Sequence, residues 1–213
     1  GVGQVDRAQV AEGRLPLFQV PTTAGTGSEV TPIAIVTVGA EIKLGVVDPI
    51  LYADGAVLDP SLTVGLPPHV TAHTGIDAMV HAIEAYTSKL KKNFYSDLLA
   101  KHALILLSDN ITKVIENGSD LIARQNMLLG SSLAGQAFAN APVAAIHALA
   151  YPLGGHFHIP HGLSNALVLL PVLRVNSVVA STEYSELLDC LPNTEPHRGT
   201  EVERAETFIQ KLD

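Results

Sequence analysis

Hydrophobic positions fall in short runs along the first 65 residues and at intervals of three and four along the rest. Apolar, β-branched runs at 15–20 and 33–38, bounded by turn residues, predict strands, and 44–47 and 56–58 predict two more. After Leu66-Pro67-Pro68 the spacing becomes helical, and the two prolines suit a helix start. Helices are predicted over 68–87, 94–116, 119–139, 142–153, 162–175 and 200–212, with no internal repeat or low-complexity stretch. The change of period near residue 65 divides the chain into an α/β piece, 1–65, and an all-α domain, 66–213. The α/β piece is too short for a complete doubly wound sheet, and no Gly-x-Gly-x-x-Gly opens a helix after a strand. With Gly1 in place of a methionine, the sequence reads as part of something longer.

Composition narrows the class. The 213 residues are 47% hydrophobic and 16% charged, enough to bury a core. A net charge of -8 argues against a nucleic-acid surface, which needs a basic face. The longest apolar run, 166–175, contains Pro171 and Arg174 and is too short to span a bilayer, so no membrane role is expected. The N-terminus lacks the pattern of a signal peptide, and Cys190 is the only cysteine, so a reducing, cytoplasmic setting is expected.

The chemistry concentrates in three stretches. In Thr74-Gly75-Ile76-Asp77-Ala78-Met79-Val80-His81-Ala82-Ile83-Glu84-Ala85-Tyr86 the apolar residues follow an amphipathic helix. Asp77 and His81, four apart, share one face, which suits two ligands to one divalent cation and equally a solvated polar pair. Glu84, one turn beyond His81, is the expected hydrogen-bonding support. His69 and His73 continue the four-residue ladder, but the face drifts by about 40° per step; they read as surface histidines, His73 the nearer. The second stretch, 145–162, holds His147, His156, His158 and His161. His147 within an apolar helix also suits a hydrogen-bonded core residue, and His156 and His158 could be exposed, supporting or competing groups. Small residues at 130–137 permit close helix approach. The third stretch, Pro21-Thr22-Thr23-Ala24-Gly25-Thr26-Gly27-Ser28-Glu29-Val30-Thr31, offers glycines and hydroxyls that fit a phosphate, a ribose, or an ordinary capping turn.

Together, Pro21 to Thr31, Gly75 to Tyr86 and His147 to Gly162 resemble the iron-containing (group III) alcohol dehydrogenases, in the right order, over about residues 14–176. The resemblance implies a dehydroquinate synthase-like architecture: a partial α/β dinucleotide-binding piece and a helical metal-binding domain, with the metal in the cleft between. It implies Asp77, His81, His147 and His161 as ligands of Fe(II), or of Zn(II). It sets Thr22, Thr23, Thr31 and Lys43 against NAD or NADP, and gives Tyr151 a part in proton release. The implied activity is hydride transfer between nicotinamide and a small-molecule alcohol, aldehyde or ketone, the metal acting as Lewis acid on the substrate oxygen. A homo-oligomer is left open, as are the particular alcohol and the choice between NAD and NADP.

Three departures from the family pattern stand out. The family's glycine-rich pyrophosphate loop would precede residue 1. Tyr151 and Val172 occupy positions where many members carry histidine. This chain alone is therefore expected to hold metal but to bind nucleotide weakly and turn over negligibly. Two rivals share the features: a metal- and NAD-using lyase of the dehydroquinate synthase type, which would need a basic grip that 13 Lys and Arg do not display, and an inactive metal-binding chain.

Overall fold

The computed structural model describes residues 14–38, 42–194 and 199–213. Among these residues four short strands come first: β1 (Phe18–Gln19), β2 (Ile33–Val38), β3 (Ile42–Val47) and β4 (Gly55–Ala56). β1 and β4 pair in parallel, Phe18 opposite Gly55, while β2 and β3 form an antiparallel ribbon with Ile33 opposite Val47. The runs expected at 15–20 and 56–58 thus shrink to two paired residues each, since neither has a further neighbour among the described residues. Arg14 ties this region together, reaching the Ile50 and Tyr52 carbonyls at 2.7 and 2.6 Å and Asp54 at 2.5 Å.

Among the described residues six α-helices follow: α1 (Pro68–Thr87), α2 (Phe94–Glu116), α3 (Leu121–Asn140), α4 (Ala145–Phe157), α5 (His161–Leu188) and α6 (Glu201–Lys211). Among the described residues no strand follows Ala56, and no helix is long and apolar enough to cross a membrane. The helix starts are written locally. Asn93 and Ser96 form a capping box for α2, Asp120 accepts from the Ile122 and Ala123 amides at α3, and Thr200 with Glu203 caps α6.

Helix α1 is the axis of the domain and packs against α2, α3 and α5. Its second half departs from the amphipathic expectation: every residue from Asp77 to Tyr86 is buried. A helix enclosed on all sides can carry a carboxylate or an imidazole only if partners neutralise it. Three polar groups, Asp77, His81 and Glu84, therefore require partners from other helices. Helix α5 also departs from expectation. It runs on past 175 to Leu188 through a kink at Ala180, where φ is -122° and ψ 25°. The extension is held by packing on α6, where the Tyr184 and Phe208 rings stack 5.7 Å apart.

Candidate metal centre

Three helices meet around Asp77. On α1, Asp77, His81 and Glu84 lie within about 60° of one another around the helix axis, so all three project toward the starts of α4 and α5. His147 comes from the first turn of α4 and His161 is the first residue of α5. The approach of α5 depends on Gly162. A Cβ there would stand 2.0 Å from the His73 carbonyl oxygen, so any larger residue would push the start of α5, and His161 with it, away from α1.

The resulting geometry is compact. His81, His147 and His161 each turn Nε2 toward Asp77 Oδ1, at 3.8, 3.5 and 3.5 Å. Donor atoms of a four-coordinate site with bonds of about 2.1 Å stand about 3.4 Å apart, so these separations match one cation's coordination edge. Asp77, His81 and His147 are buried and offer ligand atoms that all lie within 4.8 Å of one another. The His161 side chain is 41% exposed, which opens the cluster on one side. One carboxylate and three imidazoles suit Fe(II) or Zn(II). The four side chains therefore fit the group that the sequence resemblance implies.

Glu84 supports His147 rather than His81. Its Oε2 accepts the His147 Nδ1–H at 2.7 Å and its Oε1 accepts the Ile146 amide at 2.6 Å. This fixes the imidazole with Nε2 toward Asp77, and it supplies the acceptor that α4 lacks, because Ala144 at its N-cap has no capping side chain. His81 Nδ1 is buried without a partner. Its ring is instead sandwiched, stacked 4.5 Å from Phe138 and 4.6 Å from His147.

Burial and charge oppose each other here. At His81 burial dominates and drives the ring down to about 4. At His147 burial also disfavours the charged ring, but the hydrogen bonds to Asp77 and Glu84 outweigh it and raise the pKa to about 9. Burial would raise Asp77, yet the surrounding imidazoles hold its carboxyl well below the usual range. Tyr151 is pushed up by burial and by the Asp77 charge, so the phenol keeps its proton.

The cluster opens on a cleft of about 430 Å³. One wall is Asp77, His81, His147, His161 and Tyr151; the other is Thr26, Ser28 and Thr31 of the hydroxyl turn, with Ile33 and Ile35 of β2. Thr31 faces the cleft, whereas Thr22 is exposed, Thr23 is half-buried, and neither lines it. Lys43 lies in β3, and its side chain falls outside the described residues. Val172 is buried in the core, His69, His156 and His158 are exposed, and His73 is half-buried and contributes nothing to the lining. Sequence reasoning did not single out Asn165 or Phe138. Asn165 had one available signal, its place four residues after His161, the same step that links Asp77 and His81.

A short α/β piece against a helical domain, with a carboxylate–imidazole cluster facing the cleft, is the dehydroquinate synthase-like architecture. Comparison with known proteins narrows this. The profile "Fe-containing alcohol dehydrogenase family, C-terminal" matches residues 71–213, and "Iron-containing alcohol dehydrogenase" matches residues 2–60. The chain belongs to the iron-containing alcohol dehydrogenase family. It is 45% identical over 199 residues to long-chain-alcohol dehydrogenase 1 of Geobacillus thermodenitrificans, covering 93% of this chain and 50% of that protein. A crystal structure of 1,3-propanediol oxidoreductase superposes with a TM-score of 0.90 at 34% identity, covering 99% of this chain and 55% of that one. Sulfoacetaldehyde reductase from Bifidobacterium kashiwanohense, in complex with NAD+, superposes with a TM-score of 0.81 at 31% identity, over 94% and 52% of the two chains. The chain spans about half the length of the curated relatives it matches.

Proposed function

We propose that this chain is the metal-holding part of an NAD(P)-linked alcohol dehydrogenase that moves hydride between nicotinamide and a small alcohol, aldehyde or ketone. The observation that carries this reading is the single cleft shared by the Asp77 cluster and the hydroxyl turn. Asp77, His81, His147 and His161 would hold Fe(II) or Zn(II), which when bound supplies Lewis-acid polarisation of an alcohol or carbonyl oxygen. Thr26, Ser28 and Thr31 offer hydroxyls to a nucleotide, and this reading assigns Thr22, Thr23 and Lys43 to the same nucleotide. The NAD+ complex of the sulfoacetaldehyde reductase supports the nucleotide assignment. Ile33, Ile35, Phe138 and Val143 give the same cleft an apolar lining. Tyr151 Oη, protonated and in the lining, is the group assigned to handle the hydroxyl proton.

The break between the two family matches, 60 to 71, supports a domain boundary near residue 65. A cytoplasmic setting belongs to the same reading. The relatives are about twice as long, so this chain alone is expected to bind metal while showing negligible turnover. The test is alcohol-dependent reduction of NAD or NADP by the Fe(II)- or Zn(II)-loaded chain, alone and joined to the N-terminal segment of a relative. Turnover in the joined protein that disappears on chelation is expected. Turnover that survives complete metal removal would overturn the reading.

A further inference from the structure

Asn165 lies on α5, four residues after His161, and is fully enclosed. Its amide nitrogen sits 2.6 Å from Asp77 Oδ1 and 3.4 Å from Nε2 of both His147 and His161. The bonded oxygen is the same one that the three imidazoles face. A hydrogen-bond donor that merely oriented a metal ligand would be expected on the carboxylate's other oxygen, leaving the ligating one for the cation. The far end of the amide is equally informative: Asn165 Oδ1 is buried with no partner. A buried carbonyl oxygen left unsatisfied beside a cluster of cation ligands calls for an acceptor's natural complement, a positive charge.

We infer that Asn165 is a fifth residue of the metal centre, whose amide turns end for end when the cation arrives. This rests on the metal reading above. In the metal-free chain the amide nitrogen donates to Asp77 Oδ1, which keeps the buried carboxylate solvated by protein. Those hydrogens point at the space between the ligands and carry partial positive charge, so a divalent cation repels them. Rotation about the Cβ–Cγ bond exchanges nitrogen for oxygen without moving α5, because the two ends of the amide have nearly the same size. The oxygen then faces the positive charge and the orphaned acceptor gains its partner. Asn165 would thus meet the two states of the site with opposite ends of one group.

The experiment uses Zn(II), a diamagnetic probe, with this chain, its Asn165→Leu variant and its His81→Ala variant. Side-chain amide and Cγ resonances of Asn165 are assigned by their disappearance in Asn165→Leu or, should that variant fail to fold, in Asn165→Gln. On Zn(II) saturation of the unsubstituted chain, the amide proton bonded to Asp77 should lose its downfield shift and its protection from exchange, while the Cγ signal moves. Asn165→Leu, which fills similar space without polar ends, should bind Zn(II) at least tenfold more weakly by calorimetry. Amide and Cγ signals unmoved by saturating Zn(II), or an Asn165→Leu affinity equal to that of the unsubstituted chain, would overturn the inference. His81→Ala separates the two levels. If it binds Zn(II) as well as the unsubstituted chain, the metal reading itself fails and this inference with it.

Discussion

Replacing Glu84 with glutamine tests how the cluster is oriented. The substitution keeps the shape and leaves an oxygen to accept the Ile146 amide at the present 2.6 Å. It puts an NH2 where Oε2 now accepts from His147 Nδ1 at 2.7 Å. His147 must then accept at Nδ1 and can keep a proton only on Nε2, the atom 3.5 Å from Asp77 Oδ1. The lone pair a metal needs is thereby occupied. Loss of such an outer partner costs about 10–100-fold in metal affinity, or about 1.4–2.8 kcal/mol. Calorimetric titration with Zn(II) should show this loss, while the helix-start bond to the Ile146 amide survives. Glu84→Ala provides the contrast: it strands two buried donors, at about 1–3 kcal/mol each. For a chain of 213 residues that lowers Tm by on the order of 10 °C. Unaltered Zn(II) affinity in Glu84→Gln would refute the claim that Glu84 sets the His147 tautomer.

Other outcomes follow from the same structure. His81→Ala should lose most bound metal by elemental analysis, whereas exposed His69→Ala should retain it and change stability by no more than about 0.5 kcal/mol; equal metal content in the two would mean the ladder is misread. Gly162→Ala forces a methyl toward the His73 carbonyl, a clash with backbone that cannot swing aside. It should cost at least about 3 kcal/mol and displace His161, measured as a fall in both Tm and metal content. Glu29 is buried in the hydroxyl turn, and burial raises its pKa, only partly offset by its backbone bond and Ser132. Below the unfolded value of about 4.3 both states hold the proton; above it the unfolded chain ionises first and the fold loses stability. Glu29→Gln should therefore match the unsubstituted chain's Tm at pH 4 and exceed it at pH 7; the reverse order would show that the carboxylate is stabilised where it lies.

The elements with strong local grammar were legible in the sequence. The 68–87 and 94–116 helices appear with their expected bounds, because proline at one start and a capping asparagine at the other act within a single turn. The convergence of His147 and His161 on Asp77 came from the family resemblance rather than from spacing, since residues 77, 147 and 161 meet only through tertiary packing. Three features were out of reach for related reasons. The stretch Val175-Asn176-Ser177-Val178-Val179 is poor in helix formers, and α5 continues through it because Tyr184, Leu187 and Leu188 are buried beyond it. The all-round burial of the second half of α1 reflects neighbours that its own periodicity does not encode. Glu84 pairs across to α4, a choice that its place one turn beyond His81 could not reveal.

The meeting of Gly27 and Gly135 has a further consequence. Gly27 has φ of 59°, and a Cβ on it would lie 2.6 Å from the Gly135 Cα, while one on Gly135 would lie 2.8 Å from the Gly27 oxygen. Main chain rests on main chain here, with no rotatable group between. The gap between the hydroxyl turn and the imidazoles is therefore set by a rigid gauge, which thermal motion and neighbouring substitutions can hardly adjust. Diversification of what the cleft admits would have to proceed through the side chains of Ile33, Ile35, Phe138 and Val143, at fixed aperture. Variants selected to admit bulkier molecules to the cleft should accumulate changes at those four positions and keep both glycines.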